Sequence, residues 1–423
     1  MRVLWLSTSK SLYKSPFNNN DYNGVGWVGA LQLEVMTHSE IELAVAFITH
    51  DPHDSIDIQD GVHYYPIYKR NNAIDKLLYY HVGHRRWNSQ FNIENVENII
   101  EDFKPDLIQA FGFECPLADI IGHIQVPIVV HIQGIINPYL NSYIPPNMTI
   151  SKIVRYGSCR REIILNNGFS FGYSNMKTLA YREKLLYSKC KYVCGRTDWD
   201  HNLAMLMAPQ SEYFHVDELL RPEFFKAAQW RYSERKTKII VSTISDNIYK
   251  GLDFVAKTAQ VFSRYSDIDY QWQIIGISKE SSLINIIEKV YKVNFDKLPI
   301  VFKGVQSAKE IVEILENADV YIHPSAIDNS PNSLCEAQLL GIPVIAANVG
   351  GISSLLPENS GILVPYNAPY ELSEQIIKLF ASSERALQIG TNGRITAQNR
   401  HNRDTIISQL ISMYNQILRV QNG

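Results

Sequence analysis

Short runs of β-branched and other apolar residues alternate with stretches whose apolar positions recur every three or four residues, and this alternation occurs twice along the chain. Such a pattern predicts βαβ units feeding parallel sheets. In the first half the runs predict strands at 2–7, 41–48, 106–112, 127–134 and 192–195, with helices near 27–37, 96–103 and 179–189. They carry little polar alternation, as strands buried on both faces do. In the second half strands are expected at 238–244, 270–276, 300–304, 320–325, 343–348 and 361–365, each followed by a helix. Leu252, Val255, Ala256, Ala259 and Phe262 share one helical face, as do Ile311, Ile314, Leu315 and Ala318, and both faces are core.

Between the halves, residues 218–236 mix Pro222 with charged side chains and mark a boundary. The reading is therefore an N-terminal Rossmann-like domain at 1–220, a C-terminal one at 221–400, and a closing segment at 401–423. The last helix, near 404–420, carries Ile406, Ile407, Leu410, Ile411, Met413, Ile417 and Leu418 and has an apolar stripe that either domain could receive, the N-terminal one included. Doubly wound domains bind ligands beyond the carboxyl ends of their strands, so the cleft between the two is where chemistry is expected.

At 423 residues the chain has room for two or three cores, and its 45% hydrophobic and 20% charged content is that of a globular protein. Forty Lys and Arg against 43 Asp and Glu leave a formal charge of -3, which excludes a general binder of phosphate backbones and hence nucleic acid as a partner. The longest apolar runs, such as 342–347, fall far short of the roughly 20 residues of a spanning helix. The opening residues lack the apolar core of a signal peptide and read as a first strand, so a cytoplasmic location is expected. Cys115, Cys159, Cys190, Cys194 and Cys335 are odd in number and scattered, which suits reduced thiols. Cys190 and Cys194, with His201 and His215, have no zinc-finger spacing.

The most informative stretch is 320–344, a strand, a loop holding Asp328, and a helix that starts near Ser330. Ser330 suits the N-cap and Pro331 the first helical position, which leaves the amides of Asn332 and Ser333 free to receive a phosphate. Glu336, one turn further in, is close enough to meet a ribose. The alternative is a plain helix cap with both acids in solvent.

Asp328, seven residues, Glu336 and Ala337, then Gly341-Ile342-Pro343-Val344 and Gly350-Gly351, resembles the donor-site signature of the retaining glycosyltransferases of family four, which have the GT-B fold. Lys250-Gly251, after the strand ending near Thr243, resembles the pair whose lysine meets the donor diphosphate in that family. Asn23-Gly24-Val25-Gly26-Trp27 resembles its glycine-rich turn, Lys104-Pro105-Asp106 its Pro-Asp strand, and the run ending His131-Ile132-Gln133-Gly134 its strand with a histidine at the sugar. Gly195-Arg196-Thr197-Asp198-Trp199-Asp200 is similar to an element of a bacterial subgroup, in which Arg196 would clamp a carboxylate, phosphate or sugar hydroxyl. Arg196, Asp200, Glu218 and Arg221 could equally form an ion-pair network.

The resemblance covers about residues 1–400 and implies α/β architecture of the GT-B kind, two facing Rossmann-like domains with an interdomain cleft. It implies transfer of a sugar, with retention, from a UDP- or GDP-linked donor to a saccharide or lipid-linked saccharide acceptor of bacterial surface polysaccharide synthesis, with no metal, no further cofactor, and peripheral contact with the inner membrane surface. By carry-over, His131, Asp328 and Lys250 are the expected catalytic residues. Gly24, Gly26, Thr243, Lys250, Ser330, Asn332, Ser333 and Glu336 are the expected donor-binding ones, with Arg196 as a further sugar or phosphate contact. Two departures stand out: residues 243–246 hold no arginine where the family places one, and Asp328 replaces the commoner glutamate. The alternatives are a sugar-nucleotide epimerase of the same fold and a non-catalytic nucleotide-sugar-binding protein. A dinucleotide-dependent oxidoreductase lacks its Gly-x-Gly-x-x-Gly turn directly after a strand. Basic and aromatic residues interleave at 66–90, and the stretch 139–174 is an excursion suited to shaping an acceptor site.

Overall fold

In a computed structural model, which describes residues 1–14, 26–70, 89–157 and 168–422, the chain forms two parallel-sheet domains that meet along one cleft. The first sheet is built from β1 (Arg2–Ser7), β2 (Glu42–Thr49), β3 (Asp57–Gln59), β4 (Val62–Tyr68), β5 (Leu107–Phe111), β6 (Ile128–His131), β7 (Tyr192–Gly195) and β8 (Glu212–His215). Its order is β3-β4-β2-β1-β5-β6-β7-β8, parallel except for the β3–β4 pair. The second sheet holds β9 (Lys238–Thr243), β10 (Tyr270–Ile275), β11 (Ile300–Gly304), β12 (Val320–His323), β13 (Val344–Ala347) and β14 (Ile362–Val364), in the order β11-β10-β9-β12-β13-β14.

The runs that predicted strands become strands within a residue or two at most ends, because a parallel strand covered on both faces must be apolar throughout. Three strands lack that signal. β3 and β8 are short edge strands with exposed or half-exposed residues, where burial imposes no apolar run. β4 contains Pro66, which reads as a strand breaker. β3 pairs with β4 only as far as Tyr64, so Pro66 lies where one edge of β4 has no strand neighbour and a missing amide is tolerated.

The chain passes between the domains more than once. Leu219 is buried in the N-terminal core and Leu220 in the C-terminal one. The charged stretch expected to mark the boundary is itself packed, with Phe224 and Trp230 in the C-terminal core and the Trp230 indole donating to the Ala318 carbonyl at 2.7 Å. Helix Ser383–Arg400 packs on the C-terminal domain, after which helix Arg403–Asn422 returns to the N-terminal sheet and buries Ile406, Leu410, Met413 and Ile417 there. The Tyr414 hydroxyl accepts from the Trp5 indole at 3.1 Å and donates to Gln109 in that core. Met148 and Ile153 lie in the opposite sense, N-terminal residues buried in the C-terminal core.

Candidate functional site

At the carboxyl ends of the strands the two domains enclose a cavity of about 320 Å³. From the N-terminal side it is lined by Trp27, Gln133 and Arg196, and from the C-terminal side by Thr243, Ser245, Lys250, His323, Asp328 and residues 330–333. The loop after β12 is fixed from behind by Gly350, at φ +54°, where a Cβ would lie 1.9 Å from the Asp328 carbonyl oxygen. Gly351 then donates its amide to that same carbonyl at 3.0 Å. Gly251, at φ +85°, lets the helix Leu252–Tyr265 begin against the Pro324 carbonyl, 2.0 Å from where a Cβ would stand.

Asp328 is the centre of the cavity's polar contacts. Its Oδ2 accepts from Lys250 Nζ at 2.8 Å and lies 3.1 Å from His323 Nε2, while Oδ1 accepts from the Tyr139 hydroxyl at 3.2 Å. Burial opposes the charge of this carboxyl, but Lys250 and His323 outweigh it and hold the group well below the ordinary range. The same pair works on Lys250, where burial pulls the ammonium down and Asp328 more than restores it.

A second acid, Glu218, is fully enclosed beside the cavity. Its Oε1 accepts from the Ser330 hydroxyl at 2.5 Å, and Oε2 lies 3.5 Å from Arg196 and 3.7 Å from Arg400. Burial again opposes the charge, and the two guanidiniums hold the carboxyl well below its usual range. Arg400 also meets Asp217 at 2.6 Å, and His401 Nδ1 sits 2.8 Å from the Glu218 carbonyl. Glu218, Cys335 and His401 bring potential metal-ligating atoms within 4.8 Å of one another. With the carboxylate already engaged by a hydroxyl and two guanidiniums, the cluster is a brace between the chain's two crossings.

Residues 225–396 match the family model of glycosyl transferases group 1. The chain is 29% identical over 120 residues to the capsular polysaccharide biosynthesis glycosyltransferase CapM of Staphylococcus aureus, a match covering 28% of this chain and 32% of that protein. It thus spans about a third of the length of the curated relatives it matches. Over nearly its whole length it superposes on the sucrose-phosphate synthase of Thermosynechococcus elongatus, with a TM-score of 0.70 at 15% identity and 99% of each chain covered. Anabaena HepE, solved with UDP and glucose, gives a TM-score of 0.59 at 14% identity over 98% of this chain and 99% of that one. The fold is shared with these proteins, and it is the expected GT-B arrangement.

Of the residues expected at the site, Thr243, Lys250, Asp328, Ser330, Asn332 and Ser333 line the cavity together with Arg196. Arg196 lines the cavity, and its guanidinium donates to the Gln133 carbonyl at 2.8 Å, pairs with Glu218 and lies 4.9 Å over the Trp27 ring. Its amide is held by Asp200 at 2.9 Å. Ser330 does not cap the helix. Pro331 takes the cap position, the helix runs Asn332–Leu340, and the Ser330 hydroxyl is drawn to Glu218 instead.

His131 lies outside the cavity lining. It is fully buried between Gln109, 3.1 Å from Nδ1, and the Val216 carbonyl, 3.1 Å from Nε2, with its ring edge-on beneath Trp27. Burial and Arg196 lower it to about 3, so it is neutral. Glu336 is likewise out of the lining, in a bidentate pair with Arg221 at 2.7 and 2.8 Å. Burial nevertheless leaves it above the usual carboxyl range. Gly26 opens helix Gly26–Val35 at φ +52° and stands next to Trp27. Gly24, Cys159 and the basic-aromatic residues 71–88 lie outside the described residues. The other four cysteines are free and buried. No helix among the described residues is long and apolar enough to cross a membrane.

Tyr139 and His323 carry no recognisable signal in the sequence, and Trp27 and Gln133 stand in the recognised motifs only as neighbours of Gly26 and His131. The nearest hint was the position of Gln133 and His323 at or just past strand ends, where cleft residues of this kind of fold arise.

Proposed function

We propose that the protein is a retaining glycosyltransferase that moves a sugar from a UDP- or GDP-linked donor to a saccharide or lipid-linked saccharide acceptor in bacterial surface polysaccharide synthesis. The observation that carries this reading is the convergence, in one cavity between GT-B domains, of Lys250, the amino end of helix Asn332–Leu340 and Asp328. The amides of Asn332 and Ser333 and the Lys250 ammonium receive the donor diphosphate. They stabilise the negative charge that accumulates on it as the bond to the sugar breaks. Because these groups supply positive charge, the diphosphate needs no metal to bridge it in this reading.

Asp328 accepts a hydroxyl of the donor sugar, and Trp27, with Arg196 over its ring, lines the opposite wall. The acceptor hydroxyl enters from the N-terminal side and attacks the anomeric carbon on the face that the diphosphate leaves. Its proton passes to a phosphate oxygen of the departing nucleotide, so no carboxylate nucleophile is required. His131 acts indirectly, as the neutral support beneath Trp27. Glu336 keeps one free lone-pair direction on each oxygen while paired with Arg221, enough to accept from a ribose hydroxyl once the donor is seated. The relatives support the biosynthetic setting, since CapM is named for capsular polysaccharide biosynthesis.

Calorimetry against UDP, GDP, ADP and CMP tests the reading. One of UDP or GDP is expected to bind and raise the unfolding temperature, with Lys250→Ala weakening binding about tenfold or more. Equal binding of that nucleotide to wild type and Lys250→Ala would remove the assignment.

A further inference from the structure

We propose that Tyr139 is a positioning residue that reaches from the N-terminal domain to hold Asp328 in the orientation that receives the donor sugar. The inference rests on the reading of the cleft just given. Asp328 is held at both oxygens, and the three groups that hold it come from different places. Lys250 and His323 share Oδ2 and belong to the C-terminal domain, whereas Oδ1 has Tyr139, 189 residues away in the chain.

The direction of that contact is settled by a second one. The Tyr139 oxygen accepts the Asn329 amide at 3.1 Å, which leaves its single proton for Asp328. The ring stands edge-on to Tyr249, with centroids 5.7 Å apart, and Tyr249 precedes Lys250 in the chain. Burial, with the Asp328 carboxylate beside it, holds the phenol well above the ordinary tyrosine range, so it remains a donor through the physiological range.

Lys250 faces the cavity and is the natural partner of an incoming diphosphate. As it turns to the phosphate, Oδ2 loses its shortest bond and gains a lone pair for a sugar hydroxyl. A carboxylate left with one anchor can rotate about its own bond, whereas anchors on both oxygens fix its plane. His323 supplies one anchor and Tyr139 the other. Tyr139 thus brings an anchor from the N-terminal part of the chain to a carboxylate of the C-terminal domain.

Tyr139→Phe removes the hydroxyl and keeps the ring. The test is calorimetry with UDP, GDP, UDP-glucose and GDP-mannose on wild type, Tyr139→Phe, Asp328→Asn and the double variant, with thermal unfolding of each. In Tyr139→Phe the free nucleotide is expected to bind as in wild type, while the extra affinity contributed by the sugar falls about tenfold, the scale of one hydrogen bond to a charged group. In the Asp328→Asn background the same change is expected to cost nothing further, because the two residues act as one unit. Loss of nucleotide and sugar nucleotide affinity alike, or costs that simply add, would mean a packing role and would overturn the inference. So would full sugar discrimination by Tyr139→Phe. Wild-type protein that binds neither nucleotide overturns the reading of the cleft itself, and wild-type binding indifferent to the sugar overturns Asp328 as its ligand. Either result removes the role given to Tyr139.

Discussion

Asp328 and Glu218 are both carboxylates buried between the domains, both held ionised by cations, and both bonded across the domain boundary. Their partners differ in one respect. Lys250, on Asp328, keeps a fifth of its side chain exposed and shares a cavity with it, whereas Arg196 and Arg400 close over a Glu218 side chain that has no exposure at all. A flexible ammonium beside open space can leave its carboxylate for a ligand. Planar guanidiniums packed against a fully covered acid cannot do so without breaking the surrounding structure. The same chemistry thus serves once as a site and once as a brace, and what separates the two is room.

The comparison breaks most easily at Glu218. Glu218→Ala leaves two guanidiniums facing an empty space and is expected to destabilise the fold by about 3–5 kcal/mol in urea unfolding. Because its carboxyl is lowered from 4.5, the stability it contributes is present above about pH 4.5 and is lost as pH falls below that. Asp328→Asn should invert the pattern, with turnover of a sugar nucleotide down about 100-fold, worth about 2.7 kcal/mol, and an unfolding temperature close to wild type. If Asp328→Asn unfolds as readily as Glu218→Ala, the distinction between site and brace fails.

Glu114 gives a third case, a buried carboxylate oxygen with no hydrogen-bond partner. Burial, with Glu183 nearby, raises this acid from 4.5 to about 7. The folded state therefore holds the proton more tightly than the unfolded one, and wild type loses stability as pH rises between those two values. Glu114→Gln is expected to be about 1–3 kcal/mol more stable than wild type at pH 8, with the difference shrinking toward pH 5, as thermal melts across pH would read. Tyr414→Phe supplies the neutral baseline. Losing the bonds to Trp5 and Gln109 should cost about 1 kcal/mol at every pH between 5 and 8.

The sequence revealed the C-terminal domain more fully than the N-terminal one, for a physical reason. All six C-terminal strands fall on stretches that the sequence marks as strands, and the spacing of Asp328 and Glu336 is set by one loop and one helix turn, both local in the chain. In the N-terminal domain the edge strands β3 and β8 bury too little to leave a pattern. Contacts that depend on two distant segments were not legible at all. Nothing near Tyr139 announces that its hydroxyl meets a residue 189 positions on, and nothing near Ser330 shows that Glu218 takes its hydroxyl away from the helix end. His131 marks the same limit from the other side. A residue at a strand's end can face the cleft or the core, and the local sequence around it is compatible with both.

The return of helix Arg403–Asn422 to the first sheet has a practical consequence for dissection. A fragment ending near residue 220 would lack the helix that buries Ile406, Leu410, Tyr414 and Ile417 against that sheet, and would expose an apolar face in its place. The C-terminal domain excised between the two crossings would in turn lose Met148 and Ile153, which its core buries. Its counterpart is a discontinuous domain that must be rejoined by a short designed linker from about residue 219 to about residue 402 before it can be studied alone.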